Sequence, residues 1–68
     1  MNNNFITLTD LNKHSAIMLN VNFIQSIAEQ KNGSSYIIMT FKDGYSHFEV
    51  KETPKEIMKL MKNKIYVD

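Results

Sequence analysis

Apolar and polar positions along this chain change period several times, and each change marks an element. "FITLT" (5 to 9) alternates and is rich in β-branched residues, which suits a pleated strand. "DLNK" (10 to 13) carries Asp10 and Asn12, side chains that bond nearby backbone in turns. "SAIMLN" (15 to 20) is a second apolar run, and "NVN" (20 to 22) is a polar corner. In "FIQSIAEQ" (23 to 30) the apolar residues Phe23, Ile24, Ile27 and Ala28 follow a three-to-four spacing, so a helical turn competes with a bulged strand. The strand is the preferred reading. Eight residues with no apolar continuation make a short helix, and "KNGSS", with Asn32-Gly33, follows as a hairpin loop.

"YIIMTF" (36 to 41) is the strongest strand in the chain, and its unbroken apolar run from Tyr36 to Met39 implies a central strand buried on both faces. "KDGY" holds Asp43-Gly44, a pair suited to a type I′ turn, and "YSHFEV" (45 to 50) returns from it. "TPKEIMKLMK" (53 to 62) then starts a helix: Thr53 can cap it, Pro54 fits the first helical position, and Glu56 completes a capping box. Ile57, Leu60, Met61 and Ile65 share one helical face, with Lys55, Lys59 and Lys62 off it. The predicted architecture is α+β: residues 1–68 form one small domain, with a polar start over 1–4, an antiparallel β-meander of four to five short strands over 5–51, and a C-terminal amphipathic helix over 53–65. Tyr36, Ile38, Phe41, Phe48, Ile57, Leu60 and Met61 are the expected core or interface residues.

Strands that are apolar on both faces need two coverings, and the chain supplies one short helix. Ile17, Leu19, Ile37 and Met39 are therefore expected to form a second apolar surface, closed by a two-fold homodimer or by a sheet that curls over itself. Met58 and Met61, with adaptable thioethers, are the helix residues suited to an interface. A domain of 68 residues also buries too small a share of its surface to be more than marginally stable alone.

Composition narrows the chemistry. With 43% apolar residues, two Gly and one Pro the chain should fold, and zero Cys excludes disulfides and thiolate zinc sites. No apolar window is long enough to span a membrane, and the start lacks the pattern of a signal peptide, so a cytoplasmic location is expected. All eight basic residues are Lys and the net charge is +1, which argues against sequence-specific nucleic-acid binding, since Arg supplies the bidentate fork. The stripe of Lys51, Lys55, Lys59 and Lys62 is interrupted by Glu49, Glu52 and Glu56 and reads as a solvated face.

His14 and His47 stand in different elements without metal-ligand spacing. Tyr45, His47 and Glu49 share a strand face and could form an acid–base row, although solvated strand faces carry the same residues. The serines have no nucleophile-elbow context, and Gly33 and Gly44 are isolated turn residues, so no phosphate loop exists. No catalytic, metal-binding or cofactor-binding residues are assigned, and an enzyme is not expected.

The order of pieces resembles the small flagellar and swarming-motility protein family of the FlbD type. The resemblance runs from about Ile6 to Met61 and rests on Thr7, Leu8, Leu11, Asn12, Leu19, Asn20, Ile24, Ile27, Gly44, Val50, Glu52, Thr53 and Ile57. Lys13 stands where that family usually has glycine, and "EQKNGSS" is longer than its loop. The resemblance implies a non-enzymatic accessory role in flagellar function and brings no catalytic residues. The expected function is an interaction module, dimeric, acting on a protein partner. A weak nucleic-acid-associated regulator using a sheet or lysine face is the second reading, and a small inhibitor or accessory protein of a phage or mobile element, a setting in which small β-meanders also occur, is the third.

Overall fold

The computed structural model describes residues 4–65, with side chains described as far as Lys62. Met1 to Asn3, which include most of the expected polar start, and the side chain of Ile65 lie outside the described residues. Five strands and one helix follow in order: β1 (Phe5–Asp10), β2 (Ser15–Asn20), a 3-10 turn (Val21–Phe23), β3 (Ile24–Glu29), β4 (Ser35–Phe41), β5 (Gly44–Val50) and α1 (Pro54–Ile65). The expected α+β architecture is the observed one. The strands make one antiparallel sheet in the order β2-β1-β5-β4-β3, so the hairpin β1–β2 and the meander β3–β4–β5 are joined through β1 and β5. No helix among the described residues is long and apolar enough to cross a membrane.

The capping box forms as the sequence predicts: Thr53 N–H donates to Glu56 Oε1 at 2.9 Å and Glu56 N–H to Thr53 Oγ1 at 3.1 Å. The ambiguous stretch 23 to 30 resolves as a turn and a bulged strand. Ile24 pairs with Met39 and Ile27 with Ile37, with a register shift between Ile24 and Ser26. The extra residue at the bulge puts Ile24 and Ile27, three apart, on one strand face, and that is the origin of their helix-like spacing. The β4–β5 turn departs from expectation. Phe41 pairs with Gly44, so the two turn residues are Lys42 and Asp43. His14 is the one described non-glycine residue with positive φ, so Lys42 and Asp43 do not have type I′ geometry. Gly44 enters the strand with φ 154°, a conformation open to glycine.

α1 packs on β1, β3 and the 3-10 turn. Under it lies the core: Ile6, Leu8, Leu19, Val21, Ile37, Met39, Val50 and Ile57, with Ile17, Ile24, Ile27, Phe48 and Met61 packed against them. Two sequence expectations need correction here. Leu19, Ile37 and Met39 do not form a second wet surface; they are 6%, 0% and 3% exposed inside the chain's own core, and Ile17 is half-buried beside them. Register is the reason. Ser35 pairs with Val50 and Ile37 with Phe48, which puts the odd-numbered residues of β4 on the helix side and turns Tyr36 and Ile38, half-buried, to the other face. Phe41 and Leu60, expected in the core, are 44% and 38% exposed, and the residue that anchors the helix is Ile57, fully buried.

β1 and β5 meet at a single residue pair, Asp10 with Val50. Leu11 N–H donates to Glu49 C=O and Lys51 N–H to Thr9 C=O, both at 2.9 Å, on either side of that pair. Glu52 clamps the join, accepting from Thr9 N–H through Oε1 and from Thr9 Oγ1 through Oε2, each at 2.9 Å. Ser35, fully buried, donates from Oγ to the Glu52 carbonyl at 2.7 Å.

Ile57→Ala should cost about 2–5 kcal/mol, whereas Leu60→Ala should cost less than about 2 kcal/mol because much of that side chain is already in water. Thermal melts of the two variants check this, and equal losses would contradict the placement of the helix. Glu52→Ala, which removes both bonds to Thr9, should destabilise by about 1–3 kcal/mol and speed hydrogen exchange at the Thr9 amide. Retained protection of that amide would show that the clamp contributes nothing.

Candidate apolar groove

Past the Asp10–Val50 pair, β1 and β5 separate, and an apolar groove of about 260 Å³ opens near the 3-10 turn. Alternation along the strands explains its lining. Phe5 and Met18 come from the outward-facing positions of β1 and β2, while Met39, Phe41 and Phe48 come from the inward-facing positions of β4 and β5. Phe23 of the turn completes the aromatic part, its ring centroid 5.5 Å from that of Phe41 at an interplanar angle of 59°, a tilted contact favourable for aromatic quadrupoles. Leu19 and Asn20 also border it, and among the described residues Asn20 is the one polar lining residue. Met18, Phe23 and Phe41 remain 62%, 43% and 44% exposed. The 3-10 turn that carries Phe23 is held by Asn20, whose Oδ1 accepts from Asn22 N–H at 2.9 Å, and by Ile24 N–H, which donates to the Val21 carbonyl.

Of the six residues singled out from sequence as interface candidates, the structure brings only Leu19 and Met39 to this groove. Ile37 is in the core beneath α1, Met61 packs against that core, and Met58, 57% exposed, lies on the solvent side of the helix. Phe5, Phe23 and Met18 were not singled out. The available sign was Met18, a large apolar residue between the inward-pointing Ile17 and Leu19.

The residues that suggested chemistry are dispersed. His14 sits in the β1–β2 turn at φ 53°, where its N–H donates to the Asp10 carbonyl at 2.8 Å. His47 stacks on Tyr36 with centroids 5.4 Å apart, and Glu49 accepts from Gln30 Nε2 at 2.9 Å. Tyr45, at the end of that row, is 69% exposed. Lys51, Lys55, Lys59 and Lys62 are all exposed. Every buried side-chain nitrogen or oxygen among the described residues has a hydrogen-bond partner, so the buried polar groups Asp10, Ser34 and Ser35 are fully engaged in holding turns and the β1–β5 join. Among the described residues no group of three or more His, Cys, Asp or Glu side chains converges as a metal site.

Comparison with protein-family models, with curated proteins and with solved structures finds no match to this chain.

Proposed function

We propose that this chain is a non-enzymatic interaction module that binds a protein partner through the apolar groove between β1–β2 and β4–β5, and that it works as a homodimer. The observation that carries the reading is the groove itself, where phenylalanine and methionine side chains stay partly in water beside a well-formed core. Contiguous apolar surface of this kind on a small domain costs solubility and is kept where a partner covers it. Phenylalanine and methionine are enriched in the centres of protein interfaces, and charged residues are depleted there; among the described residues no charged side chain lines this groove. The resemblance of residues 6–61 to the flagellar accessory family supports the motility apparatus as the setting of that partner. A mobile-element inhibitor would use the same surface, and the identity of the captured protein separates the two.

A photoreactive phenylalanine analogue at position 23 or 41, in the chain expressed in its own cells, should crosslink to one discrete protein. The same analogue at Thr40, on the opposite face of β4, should not. Equal labelling from all three positions would overturn the assignment of the groove.

A second reading rests on Tyr36, Tyr45 and His47, which lie on the outward face of β4 and β5 and resemble a platform for stacking bases. The charge balance weighs against it: with eight Lys and seven acidic residues, any nucleic-acid binding should be weak and should disappear at physiological salt. Fluorescence anisotropy with single-stranded and duplex oligonucleotides tests this, and submicromolar binding that survives such salt would favour the platform over the groove.

A further inference from the structure

Among the described residues the outer strands of the sheet, β2 and β3, have no further strand beside them, and they are built differently. β3 carries a bulge near Gln25 and ends in Glu29, and bulges and charges are the devices that blunt an edge against pairing. β2, "SAIMLN", has no charge, no Pro and no bulge, and it pairs with β1 in unbroken register from Ser15 to Asn20. Its backbone orientation follows from bonds at both ends. Val21 N–H donates to the Asn4 carbonyl, and across β1 the groups of Thr9 and Leu11 turn toward β5. Since antiparallel ladders alternate, Ser15, Ile17 and Leu19 turn their N–H and C=O to β1, while Ala16, Met18 and Asn20 turn theirs to the free edge. Met18, at the middle of that edge, also has its side chain 62% exposed.

We propose that a second copy of this chain occupies the β2 edge, strand against strand, antiparallel and centred on Met18, so that the two five-stranded sheets run on as one. A two-fold axis normal to the sheet keeps each face on its own side and therefore pairs residues of like parity. Centred on Met18, it sets Met18 opposite Met18 of the second copy, and the two residues exchange a reciprocal pair of backbone hydrogen bonds. Ile17, half-buried, comes opposite Leu19 of the second copy on the core side. A centre at Ile17 would need His14 to extend the ladder, and its φ of 53° takes it out of the extended conformation. Charge does not oppose the pairing: Ser15–Asn20 carries no charged residue, so no like charges meet along the paired segment.

This inference deepens the homodimer in the proposed function, and it uses the β2 edge rather than the phenylalanines of the groove. Sedimentation should give a mass moving from 7.9 kDa toward twice that value over a roughly hundredfold rise in concentration. Met18→Lys, which opposes two charges across the axis, should hold the mass at the monomer value while leaving the dilute melting curve unchanged. Phe41→Glu should abolish partner crosslinking and leave the dimer intact, which separates failure of the edge from failure of the groove. Because the chain has no Cys, Met18→Cys reports the register directly: it should oxidise to a covalent dimer under conditions that leave Gln25→Cys, on the β3 edge, monomeric. The proposal is overturned by a wild-type mass that stays at 7.9 kDa, by a dimer that survives Met18→Lys, or by equal oxidation at positions 18 and 25.

Discussion

The join between β1 and β5 is the interaction on which this fold depends. A hairpin and a three-stranded meander share one sheet through the pair Asp10–Val50, two flanking backbone hydrogen bonds and the bidentate hold of Glu52 on Thr9. Its parts are shared with neighbouring elements. Asp10, 5% exposed, also organises the β1–β2 turn through Oδ1, which accepts from Asn12 N–H at 2.8 Å and Lys13 N–H at 3.2 Å. Glu52 lies in the link to α1, and its carbonyl holds Ser35 at the start of β4. Strand pairing, turn and helix entry therefore converge on a few adjoining residues.

A join this narrow has a structural consequence. Because β1 and β5 pair at one end only, the sheet can curl until α1 touches β1 and β3 together, although β5 and β4 lie between them in the sheet. Curling lets one helix of twelve residues cover the concave face, with Ile57 at the centre of the contact. That closes most of the surface that a flat five-stranded sheet of this size would leave wet. The same separation of β1 from β5 opens the groove at the other end, where side chains from outward positions of one strand pair meet side chains from inward positions of the other. Core and groove are thus two results of one geometry.

Phe5, Met18, Phe23 and Phe41, four exposed large apolar side chains, meet at the groove. Met18 belongs both to the groove and to the uncharged β2 edge, so a strand paired there would lie beside the groove. The lysine-bearing side of α1 is instead exposed, and the Tyr36–His47 stack lies on the outward face of the sheet. Assembly through β2 would leave both of those faces open to solvent.

Much of this was legible in the residues themselves, and the limits have physical causes. The turn chemistry of "DLNK" and "KNGSS", the capping box at Thr53 and Glu56, and the strand over 24 to 29 are local, so each could be read from neighbours in the chain. The facing of β4 was missed because Tyr36 to Met39 is apolar at every position and shows no alternation. The pattern of "YSHFEV" held the missing information, since Phe48 and Val50 alternate with polar residues and either tight turn pairs them with the odd positions of β4. The order of strands, the clamp of Glu52 on Thr9 across 43 positions and the meeting of Phe23 with Phe41 had no local sign. Sequence by itself determined the elements, the turns at "DLNK" and "KNGSS" and the helix start, because these depend on backbone preferences and hydrogen bonds within a few residues. Only the tertiary structure decided which apolar residues became core, which became groove and which edge stayed free, because those outcomes follow from how far β1 and β5 remain paired, a balance of contacts between segments distant in the chain.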